Sequence, residues 1–470
     1  MNTKNILRYV LSAVLILGTG VSLTGCEDQP DKYEIADGTP TVNYIRNLGA
    51  ENPSTTDTEE THHTNGELVT EATPQSVLCL VGSNLRSVYE MYFNDKKAIL
   101  NSSYITDNTL IVTIPKNVPE KVTDKIYLIT QKHDTITYDF HVVISAPDVQ
   151  SMSNEYAHVG DNVTLTGNYF IDDPGTPLTI SFAGANGTPV EVPHDKITFS
   201  SDYTSVSFPV PDGAEEGPIT VKSIYGTTKT AFHYKDTRGL LFDFDGATGL
   251  SNHGWHDRTI TTDADAISGN YVQFGNGSAK MTAAGGWDDG NFSFEYWAGS
   301  WDTPQNMTSG NGMALNKLVD FSNYKNMSLK FEMCIPAGSP WQAGAMQIAF
   351  MGYDKVTYSG YAIDGYTGRV ASPNAYVFSG EGSNDEGSFG RAMYRPWTAT
   401  GSYDTGGKWV TVTIPLTSFI YDRNGSITTT IPSSAADFAS LTMFVVGGGI
   451  DGTDCTPIIK IDNIRVVPNK

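Results

Sequence analysis

All seven tryptophans of this 470-residue chain, Trp255, Trp287, Trp297, Trp301, Trp341, Trp397 and Trp409, fall in its second half. An indole is a flat, rigid plate with one polar edge, and ordering it costs little side-chain entropy. Several of these plates sit among Gly, Asp and Asn, as in Gly285-Gly286-Trp287-Asp288-Asp289-Gly290-Asn291 and Ala298-Gly299-Ser300-Trp301-Asp302. A pyranose ring presents an axial C–H face that packs on such a plate, while its hydroxyls point sideways toward carboxylates, amides and guanidinium groups. Plates ringed by those partners predict recognition of a neutral carbohydrate chain.

The candidate ligand-binding residues are Trp255, Trp287, Asp288, Asn291, Glu295, Trp297, Trp301, Trp341 and Trp397. In Phe292-Ser293-Phe294-Glu295-Tyr296-Trp297 a period of two puts three aromatics on one face, which reads as core. Trp297 and Glu295 are then the outward pair, with Trp287 and Trp301 in loops at the strand's two ends. Trp255 stands in the polar loop Asn252–Asp257. Trp341 and Trp397, each beside a proline, fit core or site equally well. Trp409, within Lys408-Trp409-Val410-Thr411-Val412, reads as packing.

The same region is poor in catalytic signatures. Glycoside hydrolysis needs two carboxylates flanking one bond, roughly 5–10 Å apart. Only Glu295, Glu332, Glu381 and Glu386 are available among glutamates, and none forms the Glu-x-Asp-x-x-Glu strand of jelly-roll glucanases. No nucleophile elbow, zinc-binding helix or phosphate loop occurs. No catalytic residue, metal or cofactor is expected. Asp243, Asp245 and Asp462 are ordinary solvated strand positions or, alternatively, ligands of a structural calcium. The net charge of −22, from 52 acidic and 30 basic residues, disfavours nucleic acid and anionic lipid surfaces.

The elements that must position these residues are strands. Residues 1–25 read as a signal peptide: Lys4 and Arg8 precede a short apolar run, and Leu23-Thr24-Gly25-Cys26 forms a lipobox whose thiol takes the lipid. That run is too short to span a bilayer, so membrane attachment would be through Cys26 alone. Glu27, Asp28 and Asp31 open an acidic tether, residues 26–39. Of the other cysteines, Cys79 reads as a buried thiol within Val77–Val81, and Cys334 and Cys455 as a pair or as two separate thiols.

From residue 40 onward, short strands alternate with turns, and the first part repeats itself. Val77-Leu78-Cys79-Leu80-Val81-Gly82-Ser83-Asn84-Leu85 aligns with Asn162-Val163-Thr164-Leu165-Thr166-Gly167-Asn168-Tyr169-Phe170. The glycine of each copy suggests a turn at positive φ, and Pro115 and Pro211 close a later strand. These copies, 40–146 and 147–236, resemble TIG immunoglobulin-like sandwiches. Residues 237–470 open with Leu240-Leu241-Phe242-Asp243-Phe244-Asp245 and close with Ile458–Val467, strands fit to pair in one sheet. The expectation is an all-β chain: two tandem immunoglobulin-like sandwiches, then a larger jelly-roll or galactose-binding-like sandwich.

Lipobox, acidic tether, paired TIG-like sandwiches and a tryptophan-rich sandwich together resemble the surface glycan-binding lipoproteins of Bacteroides-type polysaccharide-utilisation loci. The likeness is greatest to the subgroup whose last domain binds xyloglucan or related β-glucans. It implies a non-catalytic protein, lipid-anchored in the outer membrane and facing outward, that holds a neutral plant or microbial glucan. It further implies service to endo-acting hydrolases and to a TonB-dependent transporter with its lid lipoprotein. A surface glycosidase and a protein-binding adhesin are the rival readings.

Overall fold

Alternation of apolar and polar residues builds the sheets of the computed structural model, which describes residues 37–50, 67–254, 258, 260–298, 309–351 and 390–469. The chain divides into two compact units, 1–144 and 145–470. In the first, one sheet runs in the order Glu67–Leu68, Thr41–Ala50, Ser76–Ser83, Thr109–Thr113, and a second in the order Lys96–Lys97, Val88–Phe93, Lys125–Thr130, Thr135–Asp139. Leu78 and Leu80 are enclosed, whereas Cys79 between them points to the other face and is half-buried. Strand alternation thus overrides the buried thiol suggested by its apolar neighbours.

The second unit begins with a sandwich of the same plan: Asp148–Met152, Asn162–Asn168, Ser205–Pro209, Thr198–Phe199 face Val190–Glu191, Thr179–Phe182, Gly217–Ser223, Gly226–Tyr234. The repeat glycines have a different purpose from the one expected. Neither has positive φ; that conformation falls on Asn84 (54°) and Tyr169 (62°) just beyond them. A Cβ on Gly82 would lie 1.8 Å from Thr41 O, and one on Gly167 would lie 1.8 Å from Asp148 O. Each faces a bulge in the neighbouring strand whose carbonyl occupies the side-chain space.

Two larger sheets follow. One orders Ile260–Thr261, Tyr271–Phe274, Ile459–Pro468, Met327–Cys334, Trp409–Pro415, with Leu240–Phe242 also on the closing strand. First and last strands pair, Leu240 opposite Arg465. The other orders Ser293–Tyr296, Ser440–Val446, Ala345–Met351, Ala392–Tyr394. A single cluster including Phe242, Phe294, Phe331, Met346 and Ile461 fills the space between. Cys334 and Cys455 are separate buried thiols. No helix of the described residues is long and apolar enough to cross a membrane.

Within this unit the small sandwich is joined to the large one by buried charge. Glu155, 1% exposed, accepts from Lys330 Nζ (2.5 Å) and Arg465 Nη2 (2.7 Å), and Arg465 also grips Glu332 (2.8 and 3.0 Å). Burial alone would lower the Arg465 pKa, but Glu332 and Glu155 outweigh it and hold the guanidinium above its usual range. Arg465 also lies 4.9 Å from the Tyr156 ring centroid. Beside this cluster, Tyr156, Ile267, Tyr271, Cys334 and Trp409 pack together, and Trp409 Nε1 donates to Asp265 O (2.6 Å).

Of the three aspartates expected at solvated strand positions, Asp243 and Asp245 lie in the turn after Leu240–Phe242 and Asp462 is buried in the closing strand, and they cap separate local features. Asp243 Oδ1 accepts from the N–H groups of Asp245, Gly246 and Ala247, and Asp245 Oδ1 from Asn270. Asp462 accepts from Asn463 N and Ser268 Oγ, and burial pushes its carboxyl up to about 9. A group with a raised folded pKa contributes stability below its unfolded value, about 4 for a carboxyl, and loses it as pH climbs toward the folded one. Asp462→Asn should therefore raise the melting temperature by a few degrees at pH 8 and by less at pH 5. A gain independent of pH would show that Asp462 is not the titrating group.

Candidate functional site

The four-stranded sheet has two unlike faces. Register places Phe294, Tyr296, Leu441, Met443, Met346 and Ile348 toward the core, and Ser293, Glu295, Thr442, Phe444 and Gln347 on the opposite face. Arg391 belongs to that second face, donating from Nη1 to Gln347 Oε1 (3.2 Å). Burial lowers its guanidinium to about 9. Thr442 Oγ1 is buried without a hydrogen-bond partner among the described residues. The face is thus polar but enclosed: Gly254 lies against Glu295, and Gln347 Nε2 donates to Arg423 O and Val446 O.

At one end of this face stands the indole of Trp287, 51% exposed. Its ring meets Phe444 edge-on, with centroids 4.6 Å apart and planes at 79°. The loop beneath it is pinned. Gly286 N donates to Thr282 Oγ1 (2.9 Å), Ala283 N to Asp454 Oδ1 (2.7 Å), and Gly447 N to Gly285 O (2.8 Å). Gly285, at φ +71°, could not carry a side chain, since its Cβ would fall 2.5 Å from Gly447 N and 2.9 Å from Gly344 Cα. A plate held this firmly loses little freedom when it takes a partner.

The sequence candidates divide sharply. Trp255 and Trp301 lie outside the described residues, as do Glu381 and Glu386. Asp288 and Asn291, half-buried beside Trp287, are spent on each other: both Asp288 oxygens accept from Asn291 Nδ2 (3.1 and 2.9 Å), and Oδ1 also from its N–H (3.1 Å). Asp288 caps the short helix Asp289–Phe292, inside which Asn291 lies.

Trp297 and Glu295 are not an outward pair; each is 1% exposed. The alternation is as expected, but the face opposite the core is itself covered. Trp297 follows the strand and packs in the main hydrophobic cluster, its backbone N–H donating to His253 O (2.7 Å). Trp341 and Trp397 are also enclosed, at 0% and 3%. Their indole N–H groups donate to Ala343 O and Gly344 O, both at 2.7 Å, fixing the turn against which Gly285 rests. They support the Trp287 plate from inside.

Phe444, Thr442, Gln347 and Arg391 were not anticipated. Their signal is visible only in register, since nothing in the isolated strand Ser440–Val446 tells which face meets the core. Of the four glutamates of the large sandwich, the two described, Glu295 and Glu332, lie on outer faces of different sheets. The closest set of possible metal ligands among the described residues is Glu216, His233 and Asp236, where Arg238 already grips Asp236 at 2.8–2.9 Å.

An exposed, braced indole thus stands at the end of a two-sheet sandwich that follows immunoglobulin-like sandwiches in the chain. Residues 234–468 match the family model described as the surface glycan-binding protein B xyloglucan-binding domain. The crystal structure of surface glycan-binding protein PbSGBP-B from Prevotella bryantii is 44% identical, covers 93% of this chain and 100% of its own, and superposes with a TM-score of 0.78. An IPT/TIG domain-containing protein of Bacteroides ovatus is 25% identical over 245 residues, 49% of this chain and 46% of that relative, so the chain spans about half the length of the curated protein it matches. This chain belongs to the surface glycan-binding protein B family.

Proposed function

We infer that this protein is a non-catalytic cell-surface receptor for a neutral β-glucan, xyloglucan first among them. The observation that carries the reading is that the matched residues 234–468 include the exposed Trp287 plate and the polar face behind it. Among the described residues, Glu295 and Glu332 lie on different sheets, so these two do not form the acid pair that a glycosidase brings to one bond. Cys26 is the proposed lipid attachment, placing the body of the protein outside the outer membrane. A TonB-dependent transporter and its lid lipoprotein are the proposed recipients of captured polymer. A single plate binds weakly, since ordering a flexible glycan offsets much of the stacking gain. Many anchored copies on one polymer raise the effective affinity.

Affinity electrophoresis of residues 27–470 in gels containing xyloglucan, mixed-linkage β-glucan or no polymer tests this reading. Retardation by at least one glucan, with no reducing ends released from it, is expected. Released reducing ends would make the protein a glycosidase, and unretarded migration in both gels would favour the adhesin.

A further inference from the structure

The two immunoglobulin-like sandwiches finish one sheet edge differently. In the second, the strand Ser205–Pro209 is covered by Thr198–Phe199, and Thr198 pairs with Ser207. Pro209, two residues on, has no N–H to offer. In the first, Thr109–Thr113 is the last strand of its sheet. The sequence repeat sets Ile111 at the place of Ser207 and Thr113 at that of Pro209. Where the covering strand would run stands the short turn Ser102–Tyr104, capped by Asn101, whose side chain accepts from Ser103 N (3.0 Å). Past that turn, Ile105 bridges to Leu110 and leaves Ile111 and Thr113 uncovered.

The uncovered stretch keeps its hydrogen-bonding groups. Gly82 N donates to Asn108 O and Ile114 N to Ser76 O, so the antiparallel ladder spends the groups of Asn108, Leu110, Val112 and Ile114 on Ser76–Ser83. Ile111 and Thr113 turn their N–H and C=O groups the other way, where no backbone partner meets them among the described residues. A groove of about 830 Å³ runs along this edge. Ile99, 91% exposed, and Tyr104, 56% exposed, wall it beside Ile111. Apolar side chains clustered in the open mark contact surfaces. Lys97 and Lys116 line the groove too, and no acid does among the described residues. Lys97 is paired with Glu90 (2.5 Å), whereas the exposed Lys116 has no ion-pair partner among the described residues.

An extended peptide answers each of these features. Its main chain supplies the donors and acceptors that Ile111 and Thr113 lack, alternate side chains fall on the Ile99 and Tyr104 wall, and an acidic one reaches Lys116. A second copy of this chain is a poor occupant, because a net charge of −22 on each opposes self-association. We propose that the first sandwich docks an extended segment of a partner protein, alternating apolar and acidic residues, as a fifth strand beside Thr109–Thr113. The contact is separate from glucan binding by the large sandwich.

Selection of random dodecapeptides on residues 27–470 tests the proposal, and the enriched peptides should alternate apolar and acidic residues. The best of them, synthesised and titrated, should bind Thr113→Pro and Lys116→Glu with a Kd about tenfold higher than wild type. Thr113→Pro copies Pro209 and deletes only an outward N–H, so its melting temperature and glucan retention should stay at wild-type values. The same peptide with lysine in place of its acids should recover binding to Lys116→Glu. No enriched peptide, or a best binder whose Kd is unchanged in either variant, would overturn the docking edge and leave glucan binding standing. A wild-type dimer in sedimentation that Thr113→Pro disperses would also overturn it, assigning the edge to a second copy.

Discussion

Trp287→Ala is expected to remove glucan retention with little change in the melting transition. The indole is half-exposed and touches the main cluster through Phe444, so its loss deletes a contact plate and leaves the rest of that cluster packed. Truncating a central aromatic anchor typically costs about 2–4 kcal/mol of binding, enough to carry a weak single-site interaction below detection. Trp297→Ala should behave oppositely. That side chain is enclosed, and emptying such a site costs about 3–5 kcal/mol of folding stability. Gel retardation and thermal melts of the two variants, run side by side, distinguish plate from core. Equal melts with retention intact in the Trp287 variant would remove Trp287 from the site.

Glu155→Ala carries the largest expected loss of stability. Glu155 belongs to the small sandwich, yet its carboxylate neutralises Lys330 and shares Arg465 with Glu332 in the large one. Removing it strands cationic charge in an enclosed site, which costs about 3–5 kcal/mol, and should lower the denaturation midpoint of both sandwiches together. Glu155→Met combined with Lys330→Met takes both charges away and leaves Arg465 paired with Glu332. This double variant should be more stable than Glu155→Ala. Two separate transitions in wild type, or a double variant no better than the single one, would contradict a shared folding unit.

This coupling was invisible along the sequence. Glu155 and Arg465 are 310 positions apart, and a lone acid after a short strand carries no mark of its partner. Local periodicity did reveal the sheets, the internal repeat and the pairing of first and last strands, because each depends on alternation within one segment. It also separated Phe294 and Tyr296 from Glu295 correctly. Periodicity reports which residues share a face, but not whether that face meets water. Glu295 and Trp297 were misjudged for that reason. The exposed loop position of Trp287 was legible because its Gly-Gly and Asp-Asp-Gly flanks exclude a regular strand. Phe444 and Gln347 were not, since each sits in a mostly apolar strand that is buried along its whole length.

A crystal structure of the protein with a xyloglucan oligosaccharide tests the central claim most directly. A pyranose face lying on the Trp287 indole, with the surrounding loop backbone unmoved, is the predicted result. An oligosaccharide bound elsewhere, leaving that indole bare, would contradict it.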